Sequence, residues 1–374
     1  MRFSDIIGLE EVKHKLVKSY GRNHHAQVFN GPPGSSNLAM ALAYTSFINC
    51  ESPLENDSCG NCPSCQKIDK LIHPDVHFIF PVSATTKWKG KDVVSTNFLS
   101  EWRNFLLKVT HPTLSDWLAF YGAENKQANI SKEESRQIVQ KLTLKSFEAK
   151  YKTMIIWLPE WMHPSSANAI LKILEEPPGE TIFLLVTNDY ERLLTTIVSR
   201  TQLVNIRANT QEEAVQHLMK ACGIDEEKAQ NVAYMSQGDM SLAIRLATES
   251  DLQENSLFSQ WMRYCWQNDY SQLVNMAEHY HSMDKLSQKN LLSFGLTTLR
   301  GALMSGQGIK QLARPTNDDK DFIEKFGKAV SIEKIEKINT EISEAFYHLE
   351  RNASAKMTHL DLSLKIGEIL KARA

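Results

Sequence analysis

Thr153-Met154-Ile155-Ile156-Trp157-Leu158 and Thr181-Ile182-Phe183-Leu184-Leu185-Val186 are the stretches on which the fold turns. Both are near-continuously apolar, the pattern of strands covered by helices on both faces rather than of half-exposed hairpin strands. Between them Ala167, Ile170, Leu171 and Leu174 recur at helical spacing, and that helix must stop where Pro177-Pro178-Gly179 begins, because proline restricts the residue before it. A strand, a helix and a strand in this order predict an α/β domain with a parallel sheet. Upstream, Ala26-Gln27-Val28-Phe29 leads into Leu38-Ala39-Met40-Ala41-Leu42-Ala43, which repeats the strand-to-helix pattern.

From Thr210 the strand patterns stop. Helices are expected over Gln211 to Ala221 and Asp225 to Ser236, the latter ending at Gly238, with a short helical unit continuing to about Thr248. A larger helical bundle follows, with apolar faces from Ile332, Ile335, Ile338 and Ile342 and from Leu360, Leu362, Leu364, Ile366, Ile369 and Leu370. The segment 81–129 is rich in aromatic and polar residues with weak periodicity. It reads as an insertion with helices of its own, one over about Thr96 to Val109, and no role can be assigned to it.

A chain of 374 residues is too long for one ordinary core, so two or three domains are expected. With 42 Lys+Arg against 44 Asp+Glu the net charge is -2, which gives no global attraction to DNA or a membrane. The start, Met1-Arg2-Phe3-Ser4-Asp5, carries no basic region followed by a long apolar run, and no stretch has the uncharged length a bilayer needs. A cytoplasmic protein without membrane contact is expected.

Gly31-Pro32-Pro33-Gly34-Ser35-Ser36-Asn37-Leu38 occupies the strand-to-helix turn. A phosphate-binding loop reads G-x-x-x-x-G-K-[ST], with backbone amides cradling phosphates, lysine reaching the terminal phosphates and the hydroxyl on Mg²⁺. Gly31 and Gly34 hold their places, but Ser36 replaces the second glycine, Asn37 the lysine and Leu38 the hydroxyl residue. A tight turn with no ligand is the plain alternative. The strand ending at Ile156 should finish with an Asp for Mg²⁺ and a Glu for water in an ATPase. Trp157 and Leu158 stand there and can do neither.

Cys50, Cys59, Cys62 and Cys65 are spaced C-x8-C-x2-C-x2-C, and in a reducing compartment such a cluster points to zinc rather than disulfides. Four thiolates leave no open coordination position, so the zinc would be structural. Cys222 and Cys265 stand apart and read as buried thiols. After the second central strand, Leu194-Thr195-Thr196-Ile197-Val198-Ser199-Arg200-Thr201 offers Arg200 for remaining chemistry. A guanidinium presented to a neighbour's γ-phosphate stabilises transition-state charge, while a loop arginine taken alone is commonly a solvated charge.

Ile6-Ile7-Gly8, His25-Ala26, the Gly31 loop, the four cysteines, Asn168-Ala169-Ile170-Leu171-Lys172-Ile173-Leu174-Glu175-Glu176-Pro177-Pro178 and Thr196-Ile197-Val198-Ser199-Arg200 together resemble the bacterial DNA polymerase III clamp-loader family over roughly the first 250 residues. Within that family the gamma/tau type keeps the lysine, the hydroxyl and the acidic pair, and the delta-prime type tolerates their loss, which is the pattern here. The resemblance implies an AAA+ P-loop-type α/β domain with a zinc module over 1–207, a small helical lid domain over 208–248 and an all-α collar domain over 249–374. It also implies a hetero-pentameric ring with gamma/tau-like ATPase subunits and a delta-like subunit, which places the sliding clamp on primed-template DNA. Arg200, with Ser199, would then act in trans on a neighbour's ATP. Thr201 stands where the family has cysteine, and Ser241 where the lid carries a phosphate-touching arginine. No ATP hydrolysis, and weak or no nucleotide binding, are expected.

Two rival functions follow from the same residues. One is a gamma/tau-like ATPase with an unorthodox site, suggested by the preserved loop frame and Thr187. The other is a free-standing zinc adaptor holding DNA through Lys67, Lys70 and His73 beside the cysteines.

Overall fold

The computed structural model describes residues 1–21, 24–124, 126–248, 252–283, 285–306, 325–351 and 353–372. The chain divides into two compact units, Met1–His217 with Gly238–Leu242, and Leu218–Gln237 with Ala243–Ala374. The boundary expected at residue 249 lies outside the described residues.

The first unit is built on parallel strands β1 (Ala26–Asn30), β2 (Val76–Ile79), β3 (Lys152–Trp157), β4 (Thr181–Thr187) and β5 (Gln202–Asn205), in the spatial order β2-β3-β4-β1-β5. β1, β3 and β4 are the three apolar runs read from the sequence, and all thirteen residues of β3 and β4 together are buried. Alternation along each strand divides the core. Phe29, Ile155, Trp157, Ile182, Leu184 and Val186 enter one layer, while Val28, Met154, Ile156, Phe183 and Leu185 enter the other.

The first layer is closed by the helix Asn37–Ile48, whose twelve residues are all buried. A helix apolar all round belongs inside a fold, and this one packs on β1, β3, β4 and the helix Pro63–Asp69. The second layer is closed by helices Lys132–Thr143 and Pro164–Glu175, the latter with Ala167, Ile170 and Leu174 turned inward.

The 81–129 segment belongs to the first layer. The helix expected over Thr96 to Val109 is a 3₁₀ turn, Ser95–Phe98, running into the α-helix Leu99–Leu106, and a second helix covers Leu114–Phe120. Trp102 stacks on Phe80 with ring centroids 4.2 Å apart, meets Trp117 edge-on at 5.1 Å and lies 5.0 Å from Trp157. All four rings are fully buried, and offset or edge-to-face contacts of this kind add roughly 0.5–1.5 kcal/mol each beyond their burial.

In the second unit, helices Leu252–Gln267, Tyr270–Ser282, Lys285–Gly306, Ile332–Glu350 and Ala355–Lys371 surround a core that includes Trp261, Tyr280, Ile338, Ile342, Leu362 and Ile366. Trp261 donates its indole N–H to Ser363 Oγ at 2.8 Å and stacks on His359, whose imidazole burial pushes down to about 3. Two residues assigned to apolar faces from the sequence are exposed, Ile332 and Leu364. Each stands on a helix that meets the core through other apolar residues, Ile335, Ile338 and Ile342 on the one and Leu362, Ile366 and Leu370 on the other.

One carboxyl ties the segment down. Glu134 is fully buried and accepts from Ser95 through its backbone N–H and its hydroxyl. Burial raises its pKa from 4.5 to about 7, against the lowering effect of those hydrogen bonds. Because the folded pKa is raised, the stability linked to its proton is fully present below about pH 4.5 and is lost as pH rises toward 7. Urea unfolding midpoints should therefore fall across that window by the equivalent of about 3 kcal/mol, and Glu134→Gln should flatten the profile. A mutant profile with the same slope as the parent would contradict this.

Candidate functional site

A ligand in an open parallel sheet binds outside the carboxyl ends of the strands, where the strand order reverses. Here that point is the end of β1, which lies between β4 and β5, and the loop 31–38 leaves it. Gly31 N–H donates to Thr187 O at 3.1 Å and Ser35 N–H to Pro32 O at 3.0 Å. Gly34 has φ +72°, a conformation that favours glycine, and a Cβ there would press on the Asp239 side chain. Ser35, Ser36 and Asn37 are buried.

Asn37 stands in the lysine position and is fully engaged. Its amide donates to Thr187 O at 3.0 Å, to Asn188 Oδ1 at 2.9 Å and to Gly31 O at 3.4 Å, while its carbonyl accepts from Leu38 N at 2.8 Å. Leu38 is buried in the first core layer. Neither a cation nor a hydroxyl faces the loop from these positions.

At the end of β3, Trp157 is buried among Trp102 and its neighbours, and Leu158 takes a left-handed φ of 55° while donating to Val186 O at 2.7 Å. The nearest acid is one the sequence reading passed over. Glu160 accepts from Thr187 Oγ1 at 2.8 Å and Asn188 N at 3.0 Å, and burial raises its pKa. An acid two residues beyond the strand's expected end was the available signal.

Three further groups surround the loop, of which the sequence singles out only Ser241. His111 Nε2 lies 3.2 Å from Ser36 Oγ and its Nδ1 lies 3.0 Å from Thr110 Oγ1. Ser241 Oγ donates to Asp116 Oδ2 at 3.0 Å. Asp239 lies against Gly34 and accepts from Leu242 N at 3.0 Å. Burial, with a smaller effect from His217, lowers the His111 pKa to about 3, so its ring is neutral at physiological pH. A phosphate charge about 5 Å from one such carboxylate would cost about 3 kcal/mol at an effective dielectric near 20.

The four cysteines converge. The sulfurs of Cys50, Cys59, Cys62 and Cys65 all lie within 4.8 Å of one another, and Cys59 and Cys65 are 4.0 Å apart. Thiolates on one tetrahedral ion at about 2.3 Å stand a little under 4 Å apart, so the set fits a metal closely. Backbone N–H groups of Cys59, Asn61, Cys62 and Cys65 point at these sulfurs from 3.3 to 3.4 Å, as suits a cluster that carries negative charge. Donation from Asn61 and Cys62 lowers the Cys59 pKa to about 7, whereas burial raises Cys50 and Cys65. Cys62 also caps the helix Pro63–Asp69. Of the remaining thiols, Cys265 is buried as expected and Cys222 is only half-buried.

Arg200 follows the short helix Thr195–Val198 with about a third of its side chain exposed. Its Nε donates to Glu175 and its Nη1 donates to Thr196 O at 2.8 Å and to Ser199 Oγ at 3.2 Å. The helix Pro164–Glu175 and the Ser199-Arg200 pair are thus joined by one ion pair. The basic residues beside the cysteines are less available, since Lys67 pairs with Glu148 at 2.6 Å and His73 is buried with its Nε2 3.6 Å from the same carboxylate. Burial withdraws His73, one of the three groups a DNA-binding adaptor would use, while Lys67 stays partly exposed. Among the described residues no helix is long and apolar enough to cross a membrane.

Residues 9–210, more than half of the chain, match the family described as DNA polymerase III, delta subunit. The DNA polymerase III subunit delta' of Escherichia coli (strain K12) is 27% identical over 254 residues, covering 67% of this chain and 63% of that protein. The delta' subunit of Yersinia pestis is 29% identical over 184 residues, 49% of this chain and 41% of that protein. The gamma subunit of Buchnera aphidicola subsp. Acyrthosiphon pisum (strain APS) is 25% identical over 251 residues, 65% and 57% respectively. The chain thus spans less than two thirds of the length of these relatives.

The cysteine geometry makes a direct prediction. Purified chain should carry about one tetrahedral metal ion, and Cys65→Ser should lose it together with a cooperative part of the thermal transition. Elemental analysis that finds the ion retained at full occupancy in Cys65→Ser would refute a four-thiolate site.

Proposed function

The chain belongs to the DNA polymerase III delta-subunit family, within the clamp-loader group, and from that premise we propose that it is a non-hydrolysing, delta-prime-like clamp-loader subunit that lends Arg200 to a neighbouring ATPase. The observation that carries this reading is the coincidence of losses with one retention. Asn37, Leu38, Trp157, Leu158 and Ser241 replace the groups that would hold phosphate, metal and water, while Arg200, with Ser199, stays at the protein surface.

On this reading, 1–207 is an AAA+ ATPase-like domain, 208–248 a helical lid and 249–374 a collar that holds a hetero-pentameric ring of gamma/tau-like and delta-like subunits. The ring opens a sliding clamp and sets it on primed-template DNA in the cytoplasm. Zinc at Cys50, Cys59, Cys62 and Cys65 is structural, bracing the chain after the buried helix Asn37–Ile48. Neither ATP nor ADP is hydrolysed or held firmly at the chain's own loop.

The contact with Glu175 does not stand in the way of the arginine's role. An ion pair between two partly exposed side chains contributes roughly 0–1 kcal/mol, whereas a finger arginine is worth about a thousandfold or more in rate, some 4 kcal/mol. Loss of the Glu175 contact therefore costs little beside the transition-state stabilisation that the arginine would supply.

Glu160 is the observation that a gamma/tau-like hydrolytic reading could use, being a half-buried carboxylate bonded to Thr187 and Asn188. Those bonds already engage it, and no lysine accompanies it. ATP turnover by the purified chain, abolished by Glu160→Gln, would establish that second reading.

In a ring reconstituted with gamma-like and delta-like subunits, Arg200→Ala should remove the DNA-stimulated ATP turnover of the one site this chain contacts, about a thousandfold at that site. Arg200→Lys should not restore it, because an ammonium lacks the planar fork. Unchanged turnover in the Arg200→Ala ring would sink the proposal.

A further inference from the structure

We propose that the 81–129 segment is an internal occupant of the nucleotide position, seated where phosphates and metal would otherwise bind. This rests on reading 31–38 as a degenerate phosphate loop and is independent of what Arg200 does. Each of three positions that have lost a nucleotide-binding group meets a side chain of this one segment. Ser36, in place of the loop's second glycine, meets His111 at 3.2 Å. Trp157, at the metal-binding end of β3, lies 5.0 Å from Trp102 between ring centroids. Ser241, in place of the lid arginine, donates to Asp116 at 3.0 Å.

These contacts are built rather than incidental. His111 is 5% exposed, and both ring nitrogens face hydroxyls, Thr110 on one side and Ser36 on the other. Asp116 is fixed as the capping-box partner of Thr113, which accepts from Asp116 N at 3.2 Å while Asp116 Oδ2 accepts from Thr113 N at 2.9 Å. Trp102 and Trp117 are fully buried, and Trp117 donates to Pro81 O at 2.9 Å, which anchors the segment at its root. Phosphate bound at such a site would bridge the loop, the end of β3 and the lid, and His111, Trp102 and Asp116 make those same three connections. The segment thus supplies from within the chain side-chain contacts at the positions that nucleotide would engage in an ATPase.

Two full-length chains test this by anisotropy of fluorescent ADP with Mg²⁺. One carries Ser36→Gly, Asn37→Lys and Leu38→Thr, and the other adds His111→Ala and Asp116→Ala. The second should bind at least tenfold more tightly than the first, and equal binding would overturn the proposal. Should the loop changes prevent folding, His111→Ala with Asp116→Ala alone should raise amide hydrogen exchange at 31–38 at least tenfold, and unchanged exchange there would overturn it equally. Neither result depends on Arg200, so the clamp-loader reading stands or falls separately.

Discussion

The amide of Asn37 ties together the ends of β1 and β4, donating to Gly31 O, Thr187 O and Asn188 Oδ1. That knot sits where the strand order reverses, the one place where an open parallel sheet offers a binding crevice. Because Asn37 also begins the fully buried helix Asn37–Ile48, the loop cannot move without disturbing the core beneath it. A longer side chain reaching out of the loop from this position would give up the Asn37 bonds to Gly31 O and Asn188 Oδ1, while Thr187 O would keep the Gly31 N–H. Asn37, in the position a phosphate loop gives to lysine, thus holds the loop through hydrogen bonds of its own.

The same economy runs through the neighbouring positions. Trp157 replaces a charged group by one that packs, Leu158 replaces another by one that closes the core, and Asp239 puts negative charge against Gly34. Trp157 and Leu158 thereby join the first core layer beneath the sheet. Around it stand the features a partner could use: the cysteine cluster after the buried helix, and Arg200 joined to the helix Pro164–Glu175 by Glu175.

The centre of the fold was legible because burial on both faces leaves only apolar residues. β1, β3 and β4 were read directly, and so was the helix that links β3 to β4. The strands that were not read, β2 and β5, are the two edges of the sheet. β2 is four residues long and contains His77, and β5 is largely exposed, so neither carries a continuous apolar run. The cysteine spacing gave the metal candidate because its ligands are close in sequence. His111 and Asp116 could not be found that way, since their partners lie 75 and 125 residues away. The aromatic residues of 81–129 pack on one another from two short helices and a 3₁₀ turn, and so leave no periodic stripe to read.

A calorimetric titration of Mg-ATP into the purified full-length chain tests most directly whether this ATPase fold works without a nucleotide of its own. The expected result is no saturable heat of binding up to millimolar ATP. A one-site isotherm with a micromolar Kd would contradict it and would reopen the loop at Gly31 to Leu38 as a functioning site.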